Sequence, residues 1–149
     1  MTKHVLVVSN AVLLSVASNR SRPSRLLNPP IVVSVSAHTR ILEELRLEDT
    51  PFGRKVTTET DFTLLMYLSE SGSNERMRVL EFRASFLLLI EPKEDVQELI
   101  GMRIDKLPNE VKEQLVAITT MHALPLAIRL CELHRLPLPI KMPKVSLEE

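Results

Sequence analysis

The residues best equipped for chemistry in this chain are few and scattered. Cys131 and His134 form a Cys-x-x-His pair within a stretch of helical periodicity. A thiolate and an imidazole at that spacing can share a metal, but a structural zinc site wants four ligands and no second pair accompanies this one. Cys131 therefore reads as a buried small thiol and His134 as a helix-end histidine. His122 falls on the apolar side of its helical run and reads as a satisfied or half-buried histidine. Serines and histidines are present, but no Gly-x-Ser-x-Gly or other nucleophile signature arranges them. The three glycines, Gly53, Gly72 and Gly101, are far apart in the chain, which removes phosphate-cradling and dinucleotide loops. The paired acids Glu43–Glu44 and Glu48–Asp49 read as surface charges, and Arg20, Arg22 and Arg25 as a solvated basic loop. The expectation is a protein that is not an enzyme and carries no cofactor and no metal.

The totals agree. The 149 residues suit a single domain, 1–149, with a core of its own. A 44% hydrophobic and 26% charged composition is that of a folded chain. Acidic and basic residues cancel at 19 each, which argues against a nucleic-acid partner. Aromatics make up 3% and Trp is absent, so a base-stacking platform is not expected. The lone cysteine allows no internal disulfide and suits a reducing, cytoplasmic setting. Residues 1–16 lack a clean signal-peptide core, and no uninterrupted apolar run reaches membrane-spanning length, so membrane insertion is not expected.

The elements that would position any site come in two blocks. From Thr58, Phe62, Leu64, Met66 and Leu68 alternate with Glu59, Asp61, Thr63, Leu65 and Tyr67, a period-two pattern. Ser69–Glu75 is a turn cluster. The next strand, from about Arg76 to Ile90, puts Leu80, Phe82, Ala84, Phe86, Leu88 and Ile90 on one face. Together these predict a long antiparallel hairpin, ended by Pro92. Ile31–Ala37 alternates as a further strand. Val5–Val16 is β-branched, with Val12, Leu14 and Val16 alternating against Leu13 and Ser15. Residues 18–30 read as a loop, Arg40–Lys55 fits helix or strand, and Thr50–Arg54 is a turn.

After Pro92 the period changes. Pro108 suits the first turn of a helix, with Glu110 and Glu113 near its positive end. Val111, Leu115, Ile118 and His122 follow helical spacing. A second run sets Leu124, Ala127, Ile128 and Cys131 on one side and Leu126, Leu130 and Leu133 on another. Pro125 divides the runs and predicts two helices rather than one. Prolines 137, 139 and 143 predict an extended tail over 136–149. The fold class expected is α+β, a four-stranded antiparallel sheet followed by C-terminal helices.

Two features predict association. The polar stripe Arg129, Glu132, Arg135 is too narrow for a helix resting on a single sheet, so a second surface is expected to cover it. Leu65, Tyr67, Leu87 and Leu89 lie on the nominally outer face of the hairpin, which marks that face as sticky.

Two C-terminal stretches carry a resemblance. Leu124-Pro125-Leu126-Ala127-Ile128-Arg129 resembles the Pro-aromatic-x-Arg-Glu helix start of the SecB-like preprotein-export chaperones. Pro139-Ile140-Lys141-Met142-Pro143-Lys144-Val145 resembles that family's Pro-Leu-x-Leu-Pro-Pro-Val tail. The strand-then-helix layout is similar too. Here Leu126 stands in place of the family's aromatic and Leu130 in place of its acid, and the charge is balanced where export chaperones are acidic. The resemblance implies a holdase that binds unfolded polypeptides in apolar grooves, without ATP or metal, as a dimer or a dimer-of-dimers tetramer. The candidate client-binding or subunit-interface residues are Leu65, Met66, Tyr67, Leu87, Leu89, Leu126, Leu130 and Leu133. The missing acidic surface points away from the export motor and toward another client, such as a toxin–antitoxin antitoxin. The competing expectation is a structural protein whose apolar surfaces are buried in a homo-oligomer. A small enzyme of unfamiliar type is a third.

Overall fold

A computed structural model describes residues 4–20, 31–70, 77–133 and 145–148. The strands are β1 (Val8–Arg20), β2 (Ile31–Ile41), β3 (Arg46–Thr50), β4 (Gly53–Glu70), β5 (Met77–Ile90) and β6 (Val145–Glu148). A short helix α1 (Glu94–Gln97) and a single 3-10 turn (Ile104–Lys106) lead to the long helix α2 (Asn109–Leu133). The expected α+β architecture is present, with six strands among the described residues rather than four. The two additions come from the ambiguous stretch Arg40–Lys55, which yields β3, and from the tail, which yields β6.

Strand order is β1-β5-β4-β2-β6, and β3 pairs with the first part of β4. All pairings are antiparallel except β2 with β6. The hairpin between β4 and β5 holds the centre, with Phe62 opposite Ala84 and Leu64 opposite Phe82. The alternating residues fall as the period-two pattern requires: Phe62, Leu64, Met66, Leu80, Phe82, Ala84, Phe86 and Leu88 are all buried. Phe62 and Phe82 meet edge to face, ring centroids 6.4 Å apart.

The β3–β4 hairpin turns through Pro51 and Phe52. The Thr50 hydroxyl donates to the Gly53 carbonyl at 2.6 Å and accepts from the Phe52 amide at 3.1 Å. Gly53 has φ +102°, a conformation that side chains resist, so this turn needs glycine. Bulges interrupt β1 at Ser9 and Leu14, and β5 at Val79. The bulge at Leu14 resets the parity of β1. Val12 stays opposite the outward Leu87, while Leu13 stands opposite Phe86 and Val16 opposite Ala84. The alternation of Val12, Leu14 and Val16 on one face, expected from sequence, is broken for this reason.

Helix α2 begins after Pro108, whose carbonyl accepts from the Val111 and Lys112 amides. It then runs unbroken through Pro125, so one helix stands where two were expected. Proline at 125 deletes the bond to the carbonyl of residue 121 and crowds it. Pro125 and Met121 both lie on the solvent side of the helix, so water can take the freed carbonyl. The buried stripe Val111, Leu115, Thr119, Ala123, Ala127, Cys131 steps by four residues along α2 and rests on the sheet. A four-residue step drifts around the helix, so α2 crosses the sheet obliquely. The Thr119 hydroxyl is locked at mid-crossing, 2.8 Å from the Thr60 hydroxyl and 2.7 Å from the Leu115 carbonyl.

The N-terminal segment ahead of β1 is tied to α1 and α2. The Leu6 amide donates to Gln114 Oε1 at 2.8 Å, and Gln114 Nε2 donates back to the His4 carbonyl at 2.7 Å. The buried His4 ring lies between the carboxylates of Glu110 and Glu98. Those contacts, with Glu110 foremost, raise its pKa above 6.5.

Candidate polypeptide-binding surface

The placement of α2 decides which apolar surface remains open. It lies over β4, β2 and β6, touches β5, and makes no more than marginal contact with β1. The inward face of β1 is covered at Val8 and Ala11, which pack on the core, and left uncovered beyond them. Leu13 is 45% exposed and Val16 48%, although their cross-strand partners Phe86 and Ala84 are core residues. Leu14, in the bulge, is exposed beside them. An inward-facing valine and leucine would be buried in a sheet fully covered by its helix.

The facing wall is one flank of α2. His122, Leu126, Leu130 and Leu133 follow one another at spacings of four, four and three, which keeps them on a single side. The His122 ring sits 6.3 Å from Phe86, which turns this flank toward β5 and β1. Leu126 and Leu130 are half-buried against the core, and Leu133 is exposed. Leu13 and Val16 on β1 and Leu126 and Leu130 on α2 thus stand on either side of Phe86, and by position they bound an apolar furrow. It offers apolar contact and little hydrogen-bonding chemistry. His122 had been expected to be satisfied or half-buried; it is exposed.

The residues singled out from sequence divide three ways. Leu126, Leu130 and Leu133 share the α2 flank. Met66 is fully buried with Leu68, Val79, Leu80 and Cys131, and Leu89 is 1% exposed, so neither offers surface in the chain by itself. Leu65, Tyr67 and Leu87 are half-buried on the outer face, but they do not form a patch. Leu65 stands opposite Glu81, Leu87 opposite Glu59, and the rows between hold Thr63, Arg83, Asp61 and Ser85. Asp61 accepts from the Ser85 hydroxyl at 3.1 Å and lies 3.6 Å from Arg83. Charged and hydroxyl side chains thus divide the apolar ones.

Leu13 and Val16 escaped the sequence reading because a bulge cannot be seen in a period-two count. The signal that could have found them is the mismatch between an apolar β1 and the single helix available to cover the sheet. Cys131 is buried as expected, and burial pushes its thiol pKa up. His134, its notional metal partner, lies outside the described residues, as do 21–30 of the expected basic loop, 71–76 of the expected turn and residues 134–144; Ser18–Arg20, expected in that loop, extend β1 instead. Among the described residues, no cluster of His, Cys, Asp and Glu could hold a metal. Helix α2 is long and apolar enough to span a bilayer by length and composition, as a core helix can also be.

No family model matches the chain, and no curated protein matches it. Among solved structures, the SecB-like chaperone Rv1957 of Mycobacterium tuberculosis, in complex with a ChAD peptide from the Rv1956 HigA1 antitoxin, is similar at a TM-score of 0.48. The match covers 92% of this chain and 90% of that one at 11% identity. At that identity no residue role passes from one chain to the other.

Proposed function

We propose that the protein is an ATP-independent holdase that binds unfolded or extended polypeptide in the furrow between β1 and α2. The observation that carries this reading is the half-exposed pair Leu13 and Val16, on an inward sheet face that α2 leaves uncovered. Burial of apolar side chains is non-directional, and flexible Leu side chains adapt to many sequences, so a furrow of this composition suits clients of varied sequence. The resemblance at Leu124–Arg129 and Pro139–Val145 points the same way. The balanced charge favours a dedicated client, such as an antitoxin segment, over docking to an export motor. A cytoplasmic setting goes with this reading.

Homo-oligomer formation belongs to the same proposal. Strand β1 is a sheet edge of 13 residues without proline. Edges of that length are ready templates for pairing with a second chain, and a second copy is the natural cover. A purely structural role, in which such pairing buries all the apolar surface, is the alternative that the same edge favours.

The test is suppression of aggregation of a chemically unfolded protein, with native mass measured on the same sample. The reading expects suppression at near one binding site per oligomer. A stable oligomer that fails to suppress at excess refutes general holdase activity and supports the structural role.

A further inference from the structure

The edge of β2 is occupied by the chain's own C-terminus. Strand β6 lies parallel to β2 with Val145 opposite Ala37, Ser146 opposite His38, Leu147 opposite Thr39 and Glu148 opposite Arg40. It also meets α2, so it sits at the corner where helix and sheet edge converge. Three features make this a weak seat. The pairing covers only four of the eleven residues of β2, leaving Ile31–Ser36 without a strand on that side among the described residues. Parallel ladders are slightly less stable per residue than antiparallel ones. The third feature is polar: Thr39 Oγ1, fully buried opposite Leu147, has no hydrogen-bond partner. A buried hydroxyl without a partner costs free energy that water would relieve if the site opened.

We propose that β6 is an intramolecular cap, a segment that holds the β2 edge until an extended client segment of the same alternating apolar–polar pattern displaces it. This rests on the polypeptide-binding reading above and adds its regulation. The occupant is committed by the sequence already seated there, Val-Ser-Leu-Glu, whose alternation suits a strand with one apolar face. The main-chain ladder of a sheet edge accepts any extended chain, so the seat selects for pattern rather than for a particular sequence.

Tethering sets the strength of the competition. Eleven residues, 134–144, separate the cap from α2 in sequence, and an intramolecular strand so closely joined competes at an effective concentration of order mM. Against an intrinsic peptide affinity of order 0.1 mM, the tethered strand weakens binding from solution by about tenfold.

The probe is a fluorescent synthetic peptide with the sequence of residues 142–149, titrated against the full chain and against a chain ending at Lys144. The expected result is binding to the shortened chain about tenfold tighter, and a parallel gain in affinity for a chemically unfolded protein. A full-length double variant, Ser146→Pro with Leu147→Pro, covers the case in which the shortened chain does not fold. Consecutive strand amides point to opposite edges, so this pair removes whichever one faces β2. Hydrogen exchange at alternate amides of 37–40 should quicken in either altered chain. Equal peptide affinity for full and altered chains, with unchanged exchange at 37–40, overturns the cap even if the full chain suppresses aggregation. Tighter peptide binding without any binding of unfolded protein overturns the regulatory role and the holdase reading together, and leaves a strand seat alone.

Discussion

Replacing Leu13 and Val16 by serine separates the inner furrow from the outer sheet face as the binding surface. Each side chain already has about half its area covered, at 45% and 48% exposed. Fully burying a Val or Leu side chain is worth about 1.5–3 kcal/mol, so a client that covers the remaining half gains about 1 kcal/mol from each. Loss of both should weaken client binding by about 2 kcal/mol, roughly thirtyfold. The fold should lose a similar amount, since the covered halves still pack on the core, and a domain of ordinary stability survives that. The matching control is Leu65→Ser with Tyr67→Ser on the outer face. There Leu65 stands opposite Glu81 and Tyr67 opposite Arg78, with Thr63 and Arg83 in the row between them and Leu87, and client affinity should change less than threefold. The assay is fluorescence anisotropy of a labelled, chemically unfolded protein, with native mass and a melting curve for each variant. Retained affinity in the Leu13/Val16 variant together with loss in the Leu65/Tyr67 variant refutes the furrow.

Pro125→Ala should stabilise the protein by about 1–3 kcal/mol by restoring an intrahelical bond on the solvent side of α2, read as a higher urea midpoint at unchanged slope; destabilisation would mean that the helix needs its break. Met66→Ala should cost about 2–5 kcal/mol in the same titration, since the side chain is fully buried beside Leu80 and Cys131, whereas a small loss with weakened client binding would return Met66 to the surface. His4 has a folded-state pKa above its unfolded value of 6.5, so the stability from its contacts with Glu110 and Glu98 is fully present below about pH 6.5 and fades as pH rises through the folded value. The melting temperature should therefore fall between pH 6 and pH 9 by more in the wild-type chain than in His4→Gln, and equal falls would remove the histidine from the account.

The hairpin of β4 and β5 was legible because its inward positions from Phe62 to Leu68 and from Leu80 to Ile90 are apolar and a strand's period is two; the register that sets Phe62 opposite Ala84 came from the pairing itself, with Thr58 and Thr60 buried on the same face. The buried stripe of α2 was legible in part: Val111, Leu115, Leu124, Ala127 and Cys131 are buried as their spacing predicts, but His122 and Ile128, expected on the same sides, are exposed, and Thr119 and Ala123 take the buried places between the two runs. Pro125 was misjudged because a proline's cost depends on which way its orphaned carbonyl faces, and only packing decides that. The outer-face residues Leu65, Tyr67 and Leu87 were correctly set opposite the core. Whether they merge into a patch depends on register across four strands, which sets Glu81, Arg83 and Asp61 among them. Local periodicity thus determined the inward residues of β4 and β5 and part of those of α2. The oblique crossing of α2, the bulge at Leu14 and the pairing of the tail with β2 are long-range contacts that no window of neighbouring residues contains. Those contacts alone decided which inward residues stay uncovered, and the candidate site is made of them.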